Sequence, residues 1–142
     1  MSNIYATCIS YHQRGILLTG QSGSGKSDLA LQMIQGQGAT LVADDRTDLT
    51  VKQGKLVASC PQKIQGLLEV RGVGIIQIPY TPRADVDLYV ELVDSWQKID
   101  RMPKVEMIEL EGIKIRKIKI YPFENSAIYK IMAACDENTL AC

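Results

Sequence analysis

The stretch Gly20-Gln21-Ser22-Gly23-Ser24-Gly25-Lys26-Ser27 satisfies the spacing G-x-x-x-x-G-K-[ST] in full. Gly20, Gly23 and Gly25 free the backbone to curl so that successive N–H groups point inward at phosphate oxygens, where side chains would obstruct. A helix opening near Lys26 adds its positive dipole end. In such a loop the Lys26 ammonium reaches the β- and γ-phosphates, and the Ser27 hydroxyl ligates Mg²⁺. The flanks suit this chemistry. An apolar run at residues 15–19 precedes the loop, and Leu29, Ala30, Met33 and Ile34 follow it at helical spacing. A glycine-rich turn that binds nothing is the bland alternative, and the complete motif between correct flanks argues against it. The pattern calls for a nucleoside triphosphate but does not say what becomes of its γ-phosphate.

Two further groupings bear on that question. Asp44-Asp45 closes the short apolar run Leu41-Val42-Ala43. A strand end beside a phosphate loop is where a metal-binding or base carboxylate has to sit. Adjacent acids on one strand end point to different sides, so only one of the two need face the nucleotide. Gly66-Leu67-Leu68-Glu69-Val70-Arg71-Gly72-Val73-Gly74 sets one acid and one guanidinium two residues apart in an apolar, glycine-rich segment. If that segment is extended, Glu69 and Arg71 share a face and a carboxylate for metal and a fork for phosphate act together. A salt-bridged strand edge explains the same spacing.

The elements that position these residues follow from the hydrophobic pattern. Residues 4–9 and 15–19 read as short strands around a polar turn at 11–14, and residues 26–35 as a helix stopped by Gly36 and Gly38. Residues 39–43 form a brief strand, followed by a hairpin on the alternating pairs Leu49, Val51 and Leu56, Ala58, turned at 52–55. Residues 73–78, 86–93, 105–110 and 113–120 read as further strands, and 125–135 as a closing helix capped by Asn125 or Ser126. Strands outnumber helices by about three to one, so the expected fold is α/β around a mixed sheet and not a doubly wound Rossmann domain. Residues 136–142 read as a frayed tail.

Length and composition bound the partners. The chain has 142 residues, without a linker-like tract or internal repeat, and is read as a single domain over residues 1–142. Sixteen Lys and Arg balance sixteen Asp and Glu, which removes a global electrostatic case for nucleic acid or an anionic membrane. The longest apolar runs fall far short of the roughly 20 residues a membrane helix needs, and residues 1–10 lack the features of a secretory signal, so a cytoplasmic location is expected. Cys8, Cys60, Cys135 and Cys142 form no C-x-x-C pair, and His12 has no cysteine at zinc-site spacing. They are read as reduced thiols, at least two of them in the core.

Taken together, GILLTGQSGSGKSDLALQMI, LVADDRTDL and GLLEVRGVGI resemble the C-terminal catalytic domain of the HPr kinase/phosphorylase family. The last segment is similar to the family's signature. The resemblance implies a P-loop kinase of the phosphoenolpyruvate-carboxykinase-like type that uses ATP and Mg²⁺ to phosphorylate a serine of the small phosphocarrier HPr. The family also removes that phosphate with inorganic phosphate, giving pyrophosphate. Carried over, the resemblance gives Lys26 a phosphate, Ser27 and Glu69 the Mg²⁺, and Asp45 the role of catalytic base, with Asp44 as second choice. Arg101, within WQKIDR, matches a functional arginine. Tyr5 stands where the family usually has a histidine, and Glu124 in IKIYPFEN where long members are basic. The chain resembles the family's short form, which starts at the catalytic domain, whereas the long members carry an additional N-terminal domain. The long members' hexamers leave a homo-oligomer open. Arg71, Lys98, Arg101 and Lys104 could dock an acidic carrier surface or simply form a solvated face. Two other functions share the motif: a small-molecule P-loop kinase, and a nucleotide-binding regulatory module without turnover.

Overall fold

The computed structural model describes residues 1–61 and 65–136. Ten strands and two α-helices run in the order β1 (Ser2–Tyr11), β2 (Arg14–Thr19), α1 (Lys26–Gln37), β3 (Thr40–Ala43), β4 (Arg46–Lys52), β5 (Lys55–Ser59), β6 (Leu67–Val70), β7 (Gly74–Gln77), β8 (Arg83–Leu92), β9 (Glu106–Leu110), β10 (Ile113–Ile120) and α2 (Ala127–Cys135). A short 3₁₀ turn, Trp96–Lys98, lies between β8 and β9. The tail expected beyond residue 136, with Cys142, lies outside the described residues.

Tight turns close three of the hairpins. His12-Gln13, Gln53-Gly54 and Glu111-Gly112 all have positive φ at both central positions, the turn whose twist matches paired strands. The resulting ladder is mixed. β1 runs antiparallel to both β2 and β3, so β2 and β3 point the same way. β8 pairs parallel with β2 on one side and with β10 on the other. The carboxyl ends of β2, β3, β8 and β10 therefore gather at one edge. β4 and β5 bridge the opening halves of β1 and β8, forming a second layer.

Period-two alternation divides the core. Ile16 and Leu18 of β2 face α1 and α2 with Leu29, Met33 and Ile131, whereas Leu17 faces the β4–β5 layer with Val42, Leu49 and Leu56. A strand apolar on both faces lies between layers, so the loop that follows β2 springs from a stem packed on both sides. Cys8 and Cys135 are buried, as expected of core thiols.

Helix α1 begins at Lys26 as its pattern predicts, but it runs through Gly36 and ends at Gly38. Gly38 adopts φ 76°, and its N–H bonds to the Met33 carbonyl, so left-handed geometry rather than glycine content stops the helix. Ser126 holds the cap position of α2 without a side-chain cap bond.

Candidate nucleotide and phosphoryl-transfer site

An open cavity of about 470 Å³ lies on the edge where the four strands end, lined by P-loop residues, Leu31, Asp44, Asp45, Glu69, Val70, Arg71 and Phe123. Its size suits a small ligand. The loop between β2 and α1 is shaped by its glycines. Gly25 has φ 104°, and a Cβ there would stand 3.0 Å from Pro122, while Gly23 at φ 82° meets open space. A Cβ on Gly20 would lie 2.6 Å from Ser24 Oγ. The first N–H groups of α1 have no intrahelical acceptor by construction, which makes this cradle suited to phosphate oxygens.

Lys26 is 6% exposed, and its ammonium donates to the carbonyls of Gly20 at 2.8 Å and Gln21 at 3.2 Å. Of its three donors, one remains for a ligand. Asp45 Oδ1 stands 3.9 Å from the same ammonium, on a largely exposed carboxylate.

Asp44 is tied in on every side. Its Oδ1 accepts from Ser27 Oγ at 2.7 Å and Thr7 Oγ1 at 3.1 Å, and its Oδ2 accepts from the Glu69 N–H at 3.2 Å. A carboxylate holding the hydroxyl that follows the P-loop lysine is placed to orient a Mg²⁺ ligand. Among the described residues no three His, Cys, Asp or Glu side chains converge as a closed metal cage. Mg²⁺ asks for less, because it keeps waters and takes phosphate oxygens beside one or two protein ligands. Ser27, Glu69 and the acidic pair fit that requirement.

Simple strand alternation fails at two places in the site. Asp44 and Asp45 both line the cavity, although strand alternation would send them to opposite sides. Asp45 has φ 65°, so the chain leaves extended geometry at that residue and the alternation ends. Likewise Glu69 and Arg71 do not share a strand face: β6 ends at Val70, and Arg71 enters the turn to β7. Both nevertheless line the cavity.

Tyr5 and Arg101 lie outside the lining. The Tyr5 ring is stacked under the Arg46 guanidinium at 3.6 Å, one position from the acidic pair across the β1–β4 ladder. Arg101 is exposed on the segment that leaves the carboxyl end of β8, the same edge as the P-loop. Phe123 and Leu31 were not singled out by sequence. Phe123 enters because β10 runs parallel to β8 and ends beside the loop, a pairing no local pattern reveals.

The family model for the HPr Serine kinase C-terminal domain matches residues 1–140. The chain belongs to that family. The HPr kinase/phosphorylase of Clostridium tetani (strain Massachusetts / E88) is 33% identical over 147 aligned residues, covering 95% of this chain and 48% of that protein. That of Bordetella pertussis (strain Tohama I / ATCC BAA-589 / NCTC 13251) is 34% identical over 137, covering 89% and 44%. The chain thus spans about half the length of the curated relatives it matches. The solved HPr(Ser) kinase/phosphatase of Coxiella burnetii superposes with a TM-score of 0.80 at 27% identity, covering 93% of this chain and 86% of that one. The chain accordingly has the mixed α/β architecture of a solved relative, with its acidic pair and glycine-rich loop on one sheet edge.

Proposed function

We propose that this chain is a single catalytic domain over residues 1–142, of the phosphoenolpyruvate-carboxykinase-like P-loop type. In this reading it transfers the γ-phosphate of ATP to a serine of an HPr-type phosphocarrier. The observation that carries the reading is the Ser27–Asp44 hydrogen bond with Lys26 and Asp45 beside it, which assembles a phosphate cradle, a metal-orienting carboxylate and a separate exposed carboxylate in one cavity. The names of the similar proteins support it.

Phosphoryl transfer asks mainly for positioning and charge neutralisation. The N–H groups of residues 22–25 and Lys26 hold the β- and γ-phosphates. Ser27 and Glu69 would hold Mg²⁺, which when bound would supply positive charge to the site. Asp45 accepts the proton of the attacking serine hydroxyl as the new O–P bond forms and the bond to ADP breaks. In the reverse direction inorganic phosphate attacks phosphoserine, Asp45 returns the proton to the departing serine oxygen, and pyrophosphate is formed. Arg101 is assigned to the approach of the carrier from the β8 edge.

The test is transfer of labelled γ-phosphate to a panel of HPr-type carriers, with Lys26→Ala as the control that no longer binds nucleotide, followed by addition of inorganic phosphate. Labelled carrier and release of pyrophosphate support both directions. Tight ATP binding without label on any carrier rejects the kinase reading in favour of a regulatory module.

A further inference from the structure

Thr7 lies in the middle of an otherwise apolar stretch of β1 and is completely buried. A valine would fill the same space, so the hydroxyl is the informative part of this side chain. A buried hydroxyl is costly unless bonded, and this one is bonded to two consecutive residues of another strand end. It donates to Asp44 Oδ1 at 3.1 Å and accepts from the Asp45 N–H at 3.1 Å. A hydroxyl has one proton and two lone pairs, so both bonds form together without competition.

The second bond matters because of where Asp45 sits. Its φ of 65° lies in the left-handed region, which non-glycine residues seldom adopt. Such a conformation persists only where its surroundings over-determine it. Here β1 grips the residue twice: Thr7 takes its N–H, and the Ala6 N–H bonds to its carbonyl at 3.0 Å. The left-handed residue is also what brings both carboxylates into one cavity, since on a continuing strand they would face opposite ways.

We propose that Thr7 is a positioning residue for phosphoryl transfer. Its hydroxyl locks the Asp44–Asp45 turn, so that Asp44 stays on Ser27 while Asp45 faces the acceptor hydroxyl whose proton it takes. The proposal rests on the kinase reading given above for the function of Asp45. The conformational part stands on hydrogen bonds alone.

The experiment compares Thr7→Val and Thr7→Ala, which remove the hydroxyl, with Thr7→Ser, which keeps it. Carrier phosphorylation is followed at varied ATP, and amide exchange is measured at Asp45 by NMR. Removing the hydroxyl is expected to lower kcat about 10- to 100-fold, with a smaller rise in KM for ATP, because the loop backbone and Lys26 keep their own contacts while Asp44 loses one of its three hydrogen bonds. Serine should restore most of kcat. Exchange at the Asp45 N–H should quicken in the valine and alanine variants and stay slow in the serine variant. Wild-type kcat in Thr7→Val, equal loss in Thr7→Ser, or a change confined to KM would overturn the proposal. Should the unmodified protein phosphorylate no carrier, the kinase reading falls, and the amide measurement still decides the clamp: unaltered exchange in Thr7→Val rejects it.

Discussion

The Ser27 hydroxyl donates to Asp44 Oδ1 at 2.7 Å, joining two residues seventeen positions apart. This bond separates the tasks of two neighbouring carboxylates, because Asp44 has both oxygens committed and Asp45 does not.

Asp45→Asn is therefore expected to bind ATP with Mg²⁺ at near-native affinity while transfer falls about 10²- to 10⁴-fold. Asp44→Asn should instead weaken the Mg²⁺-dependent part of nucleotide binding. Calorimetric titration with and without Mg²⁺, beside the transfer assay, distinguishes the two. An exchange of these phenotypes would make Asp44 the base.

Tyr5 is held under Arg46, outside the cavity. An imidazole can take up and release a proton near neutral pH. Tyr5→His is expected to raise pyrophosphate formation from phosphorylated carrier and inorganic phosphate. Unchanged rates would show that the ring serves only as a support for the Arg46 guanidinium.

Two glycines should respond with opposite signs. Gly25→Ala forces a side chain into φ 104° and against Pro122, costing about 1 to 2 kcal/mol and lowering ATP affinity. Gly36→Ala lies inside α1 with nothing within 4 Å and should stabilise by about 0.5 to 1 kcal/mol. Urea denaturation measures both.

Burial raises the Cys8 thiol from 9.0 to about 12. Below pH 9 the thiol is protonated in both folded and unfolded chains and contributes no pH dependence. Above it the unfolded chain ionises first, so stability should fall by about 1.4 kcal/mol per pH unit from this group. Cys8→Ala should flatten that alkaline limb. An unchanged slope would place the loss elsewhere.

The phosphate loop was readable because its chemistry is local: glycine spacing, lysine and serine lie within eight consecutive positions. Most strands were readable for the same reason, through alternation within each segment. What escaped depended on pairings between distant segments. The shared cavity of Asp44 and Asp45 hinges on a left-handed residue gripped by β1, and nothing in the pair Asp-Asp announces that conformation. The entry of Phe123 depends on parallel pairing of β10 with β8. A shared face for Glu69 and Arg71 required the segment to stay extended through Arg71, whereas Gly72 at φ 88° takes part in the turn that follows Val70. The family resemblance supplied roles for Asp45, Glu69 and Arg101 that no spacing argument could assign.

The two walls of the cleft differ in compliance. The stem of the P-loop is β2, hydrogen-bonded to β1 on one side and β8 on the other. The opposite wall, β6 and β7, forms a two-stranded sheet of its own, anchored by the buried Leu68, with Val73 and Ile75 largely exposed on its outer part. Opening the first wall means breaking the central ladder, so its amides are expected to be among the slowest to exchange, and those of the outer hairpin to exchange faster. The cleft therefore works like a vice with one fixed jaw. The β2 side is then expected to fix the geometry of a bound ligand, with adjustment left to the hairpin.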